Sequence, residues 1–367
     1  MATLMQASRE WSRRPNDERY TSLTDLHDFV AHSRARSKAV TVSSRRLEAR
    51  PVIGDEMHGI EIHGPNGVGY KPTHFSFGQL ATLGGAPGGY LRTLPAPIAC
   101  DALNYGLQFA RDIEDVGVLL RKPNGEEGQL AAATGPKYGR IWNDEVTGAL
   151  VERFGDGRTG DWRIPGEFGV QVPITKANTT LYASDRDMFV FLADEQNRVE
   201  MPNRRNGRAG SLSRGFFAWN SEVGSSTFGV GFFLFDYACS NRIVWGAEGY
   251  TEIRIRHTAG APDRWLEEAA PALLAYKESA ASPIETVLKA AQAAKVDNLA
   301  DFLKNRRFAA NMAGKVSDAF ENAEGRTIES LWDVTTGLTE YAKTIPFQDE
   351  RVALEREAGK ILDLVAN

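Results

Sequence analysis

The 367-residue chain is 42% hydrophobic and 25% charged, the balance of an ordinary globular protein able to bury a substantial core. It holds no apolar run of about 18 residues, and its opening MATLMQASREWSRRPNDERY lacks an apolar signal core, so a cytoplasmic protein without a membrane partner is expected. The net charge of −5 argues against a uniformly basic nucleic-acid coat.

That charge is unevenly spread. Residues 1–50 carry ten Lys/Arg against six Asp/Glu, and residues 203–257 carry seven against four, whereas 51–202 and 258–367 are both net acidic. Local charge decides what a groove attracts, so these two basic islands are the places to look for a polyanion site.

In chain order, residues 1–50 read as a polar basic arm with one short helix over Ser22–Ser33, where Leu23, Leu26 and Phe29/Val30 recur at helical spacing. From Val52 the chain turns β-like. Pro65-Asn66-Gly67 and Pro123-Asn124-Gly125 each sit between apolar runs and predict hairpins, because Asn-Gly accepts positive φ. Ser76-Phe77-Gly78-Gln79 reads as a capping box opening a helix that ends near Gly84-Gly85. A second helix begins about Pro97 and carries Ile98, Leu103, Leu107 and Ala110 inward. Met188–Leu192 is a short apolar strand. After residue 260 the texture changes to Ala, Leu, Glu and Lys, with a helix start at Ser282-Pro283-Ile284-Glu285 and helices over Leu299–Met312, Ile328–Lys343 and Asp349–Val365. In the last, Leu354, Ala358, Ile361, Leu362 and Val365 form one stripe, suited to core or oligomer contacts. The fold class that follows is α+β: an antiparallel sheet body with packed helices over 51–260, then a helical C-terminal region over 261–367.

The stretch 203–257 carries the chemistry. Arg204, Arg205, Arg208 and Arg214 precede the apolar run TFGVGFFLFDYAC, and Arg242, Arg254, Arg256 and His257 follow it. Alternation places Glu252, Arg254 and Arg256 on one strand face and Ile253 and Ile255 on the other. Lys137, Tyr138 and Arg140, and likewise Trp219 and Asn220, pair aromatic rings with cationic or amide groups, the combination that single-strand binders use for phosphates and bases.

Other chemistries find less support. Gly84-Gly85-Ala86-Pro87-Gly88-Gly89 lacks a following Gly-Lys-Ser/Thr and reads as a helix cap and turn. His58 and His63, near Glu61, are an odd number of residues apart and face opposite sides of a strand, so no metal and no cofactor is expected. Ser221 has no nucleophile-elbow context, although Glu222, Asn241 and His257 could form an acid/base cluster.

The segments HFSFGQLATLGGAPGGYLRTLP with PIACDALNYGL, GFFAWNSEVGSSTFGVGFFLFDYACSNRIVWG with RIRHT, and SLWDVTTGLTEYAK with EREAGKILDLV resemble the phage/plasmid-like family of unknown-function proteins on bacterial viruses and conjugative plasmids. The resemblance runs from about Thr73 to Val365. Asn220-Ser221-Glu222-Val223-Gly224 and Arg256-His257 match the family pattern, while Arg242 stands where the family usually has Gly. The mobile-element setting implies DNA metabolism, with a distant analogy to single-strand annealing recombinases. The resulting expectation is a homo-oligomeric, single-stranded DNA-binding protein of recombination or replication in a bacterial host. The alternatives are an oligomeric structural or interaction protein, and an enzyme using the Glu222/Asn241/His257 cluster.

Overall fold

The computed structural model describes residues 14–52, 59–109, 115–122, 128–165, 173–204, 207–236, 242–243, 252–279, 282–345 and 348–366. In chain order the strands are β1 (Arg19–Tyr20), β2 (Ser37–Ser43), β3 (Glu48–Pro51), β4 (Ile60–His63), β5 (Gly69–Pro72), β6 (Asp115–Arg121), β7 (Gln129–Thr134), β8 (Trp162–Arg163), β9 (Leu181–Ala183), β10 (Met188–Asp194), β11 (Val199–Arg204), β12 (Arg208–Asn220), β13 (Phe228–Asp236), β14 (Arg242–Ile243) and β15 (Glu252–Ile255). They form two sheets. The larger runs β1-β9-β10-β12-β13-β14, with β8 also paired to β10, β11 to β12 and β15 to β13, and the smaller runs β2-β6-β7-β5-β4-β3. Every pairing is antiparallel except β5 with β7.

Helices α1 (Leu23–Ala35) and α4 (Asn143–Phe154) pack on one face of the larger sheet, joining Leu26, Val30 and Leu150 to Val190, Phe216 and Val230. Helices α2 (His74–Leu83) and α3 (Ala96–Phe109) cover the smaller sheet through Leu80, Leu103 and Leu107. After α5 (Ala270–Glu278) the tail folds as α6 (Ser282–Ala293), α7 (Leu299–Asn305), α8 (Met312–Glu324), α9 (Leu331–Ala342) and α10 (Gln348–Leu362), around a core that takes Met201, Leu212 and Leu234 from the sheet. The fold class is therefore α+β with helices gathered at the C-terminal end. No helix among the described residues is long and apolar enough to cross a membrane.

Several expectations are met in detail. Gly67 has φ +72° between the antiparallel strands β4 and β5, and β6 pairs antiparallel with β7, although the Pro123-Asn124-Gly125 turn lies outside the described residues. Others are revised. Residues 14–50 are no arm, because β1 and β2 are built into the two sheets and α1 buries Leu23, Leu26 and Val30. The cap of α2 is Thr73, whose hydroxyl accepts from Ser76 N–H, so Gln79 is released for a tertiary role. Ile98 is 54% exposed, not inward, because it lies opposite the Leu103/Leu107 face. The expected helix over Leu299–Met312 breaks after Asn305, where Arg307 has φ +64°, and restarts as α8.

The C-terminal region is fastened to the sheet by charge as well as by apolar packing. Arg204 at the end of β11 donates through Nη2 to Glu324 Oε1 at 2.8 Å, with the two side chains 1% and 0% exposed. On β12, Arg214 donates through Nη2 to Asp194 Oδ2 at 2.6 Å and through Nη1 to the Tyr276 carbonyl at 3.2 Å. Breaking such a pair strands a charge in a low-dielectric interior, whereas removing both charges does not. Glu324→Ala is therefore expected to lower stability by about 3–5 kcal/mol in urea unfolding, and Arg204→Met with Glu324→Leu to recover most of that loss.

Candidate functional site

The segment Asn220-Ser221-Glu222-Val223-Gly224 leaves the end of β12 and is a buried junction. Glu222, 4% exposed, accepts from Arg121 Nη2 of β6 at Oε2 and from the Asn143 backbone N–H at Oε1, 2.8 Å away. Asn220 Nδ2 donates to the Ile141 carbonyl and to Asn143 Oδ1, both at 2.8 Å. Ser221 Oγ donates to the Arg186 carbonyl at 2.7 Å and accepts from Ser225 N–H at 2.9 Å. Gln79 bridges across, donating to the Val223 carbonyl at 2.8 Å and accepting from Ala133 N–H at 3.0 Å. Gly224 has φ +87° against the Tyr138 ring, a backbone state open chiefly to glycine. These contacts fix the loop 135–142 against both sheets.

The same loop is docked from its other side by His257. The imidazole Nδ1–H donates to the Gly139 carbonyl at 3.0 Å, while Gly139 N–H donates to the His257 carbonyl at 3.2 Å. A Cβ on Gly139 would lie 1.9 Å from the Thr258 carbonyl oxygen, so the approach requires glycine. The Tyr138 ring stacks on His257 at 4.9 Å and its hydroxyl donates to the Ser221 carbonyl at 2.8 Å. Burial pushes the His257 imidazolium below the usual histidine value, and nearby Arg140 adds to that. It raises the Tyr138 phenol for the same reason.

Beyond this loop lies an unusual cluster of guanidinium groups. Arg140 sits 5.2 Å from the Tyr138 ring and 5.4 Å from the Trp142 ring, and Arg34 of α1 lies over Trp142 at 3.5 Å. Arg34 reaches Trp142 because α1 packs alongside α4, where His27 Nδ1 meets Thr147 Oγ1 at 2.9 Å. The Nε and Nη1 of Arg140 are buried with no protein acceptor. Two unsatisfied donors cost about 1–3 kcal/mol each, more than a cation–π contact of about 0.5–2 kcal/mol returns, so the protein contacts alone leave this group incompletely satisfied.

Outward from Arg34 runs the second feature. Between Ala31 and Leu47 there are five Lys/Arg and no Asp/Glu. This segment forms the end of α1, the edge strand β2 and the turn over Ser44–Arg46, and Arg36, Lys38, Arg45 and Arg46 are all exposed along it. The 31–47 run is visible in the sequence, but residues 1–50 read as one diluted arm hid it. Nothing in the sequence places Trp142 beside Arg34.

Of the residues expected to bind a polyanion, Lys137 and Arg256 are exposed beside the docked loop, and Arg140 is the partly buried cation just described. Arg204 and Arg214 are withdrawn, because both are buried in ion pairs. Arg254 is half-buried, pairs with Glu252 at 2.5 Å and lies 5.8 Å over the Trp219 ring. Trp219 is no open stacking surface: it is 6% exposed, stacks on Phe217 at 5.3 Å and lies across Gly229. Tyr138 is enclosed between His257 and Arg140, and Asn220 is 0% exposed. Arg205 and Asn241 lie outside the described residues, as do the side chains of Arg208 and Arg242. Glu222 and His257 flank Tyr138 without bonding each other, and both Glu222 oxygens are engaged. His58 is outside the described residues, Glu61 Oε2 meets His63 Nε2 at 3.3 Å, and the described residues hold no cluster of three metal-ligating side chains.

No family model matches the chain, and neither the curated proteins nor the solved structures give a match.

The buried imidazole gives a pH signature. A histidine held below its unfolded value of about 6.5 stabilises the fold above that pH, and the contribution is lost as pH falls below it. The wild type should therefore lose more Tm between pH 7 and pH 5 than His257→Gln does, measured by thermal unfolding in matched buffers.

Proposed function

We propose that this protein binds single-stranded DNA through its phosphate backbone, as a binding protein of recombination or replication. The observation that carries the reading is the carboxylate-free run 31–47, which lines an exposed sheet edge and leads to the acceptor-poor guanidinium pair Arg34 and Arg140. On this reading the cationic surface belongs to α1 and β2, with Lys137 and Arg256 exposed beside the docked loop, while Arg204 and Arg214 of the 203–257 stretch are buried in ion pairs. Because Tyr138 and Trp219 are enclosed, backbone contacts rather than stacking on those rings supply the affinity, so binding depends strongly on salt and little on sequence. With five phosphates neutralised by Arg34, Arg36, Lys38, Arg45 and Arg46, log affinity for oligo-dT should fall against log salt with a slope near about −3.5. Replacing Lys38 or Arg46 by Ala should make that slope shallower by about 0.7 each. A wild-type protein that leaves labelled oligo-dT unshifted at low salt would sink the reading.

A second reading, self-association, is favoured by a different observation. Ile98, Tyr105 and Phe109 are 54%, 68% and 73% exposed on α3, on the side away from its buried Leu103 and Leu107. Of the core and oligomer contacts that suited the tail stripe, it makes the former, since Leu354, Ala358, Ile361 and Leu362 are all buried in the C-terminal core. If copies associate through α3, Phe109→Glu should lower the solution mass measured by light scattering while leaving the far-UV circular dichroism of the fold unchanged. A mass equal to one chain for the wild type would remove this reading.

A further inference from the structure

We infer that Arg34 and Arg140 form a seat for a single phosphate group at the Trp142 indole, the point where a bound strand is gripped most firmly. The inference deepens the nucleic-acid reading and rests on it for the identity of the polymer, but the seat is argued from its own geometry. Trp142 is the N-cap residue of α4 and carries one guanidinium at 3.5 Å and a second at 5.4 Å. A cation–π contact with the same ring holds each group near the other, and neither forms an ion pair among the described residues. Two donors of Arg140, Nε and Nη1, are buried without a protein acceptor, and Arg34 beside it is partly exposed. A phosphate suits this vacancy of acceptors because its oxygens can receive two planar forks at once, with charge assistance in each bond.

The surrounding charges define the seat further. Glu222 lies near Arg140, but its two oxygens are already held by Arg121 and by the Asn143 backbone. Asp144 and Glu145 occupy the first turn of α4, and Glu145 is exposed and close enough to Arg34 to feel its charge. Burial and Asp144 hold the Glu145 carboxyl above the usual value, while Arg34 acts in the opposite direction. An incoming phosphate would therefore be repelled by Glu145 and attracted by Arg34, Arg140 and Arg121. Removing the Glu145 charge should tighten phosphate binding even though the residue is no ligand.

The test uses the full chain, with oligo-dT and inorganic phosphate as separate probes. Arg34→Lys and Arg140→Lys keep the charge but lose the planar fork, so each should weaken oligo-dT binding by about tenfold, with Tm in the absence of ligand monitored as a folding check. Glu145→Gln should tighten binding severalfold. Inorganic phosphate should raise the Tm of the wild type and not that of Arg140→Lys. If the wild type binds oligo-dT and both lysine variants match it, the seat is overturned and the nucleic-acid reading stands. If oligo-dT does not bind but phosphate protects the wild type and not Arg140→Lys, the seat stands and the polymer reading falls. If neither probe binds, both fall.

Discussion

The buried carboxylate of Glu222 is the constraint on which the rest of the structure depends. At 4% exposure it must be met on both oxygens, and its partners come from different parts of the fold: Arg121 from the smaller sheet and the first backbone N–H of α4. Satisfying one charge therefore sets the distance between the two sheets and the start of a helix. The neighbouring Asn220, Ser221 and Gln79 repeat the pattern with neutral hydrogen bonds to Ile141, Arg186 and Ala133. Loop 135–142 inherits its position from this junction, and Arg140 inherits its own from the loop.

The arginines then divide by burial. Arg121, Arg204 and Arg214 lie where water is scarce, and each faces a carboxylate, with other donors of Arg121 and Arg214 taken by Ser37 and the Tyr276 carbonyl. Those along α1 and β2 lie at an edge, with no carboxylate in their own stretch of chain to neutralise them. An acidic protein can in this way keep a local cationic edge, since screening confines each charge to a neighbourhood of about 8–10 Å. Arg34 and Arg140 fall between the two classes: an aromatic ring holds each in place, and two donors of Arg140 are buried without a protein acceptor.

Much of the fold was legible in local pattern. The Asn66-Gly67 turn, the apolar strand at Met188, the helix start at Ser282 and the buried stripe of α10 all follow from turn chemistry and periodicity. The errors came where a tertiary partner outbid a local signal. Ser76 and Gln79 have the spacing of a capping box, yet Thr73 caps the helix and Gln79 is taken by Val223 and Ala133. Ile98 continues an apolar pattern but lies on the wrong side of α3. Residues 1–50 read as a polar arm with one short helix because their few apolar residues are dilute, and Leu23 and Leu26 are buried because a sheet lies opposite them.

By itself the sequence determined the α+β class, the helical tail, and the fact that positive charge is concentrated near residues 1–50 and 203–257, because composition and short-range periodicity are properties of neighbours along the chain. Only the tertiary structure decided which cations face solvent. Whether an arginine is a ligand-binding group or half of a buried ion pair depends on a carboxylate that is 20 residues away for Arg214 and 120 for Arg204, and no local pattern carries that distance. The same is true of Trp142, which draws Arg34 and Arg140 together from two separate parts of the chain.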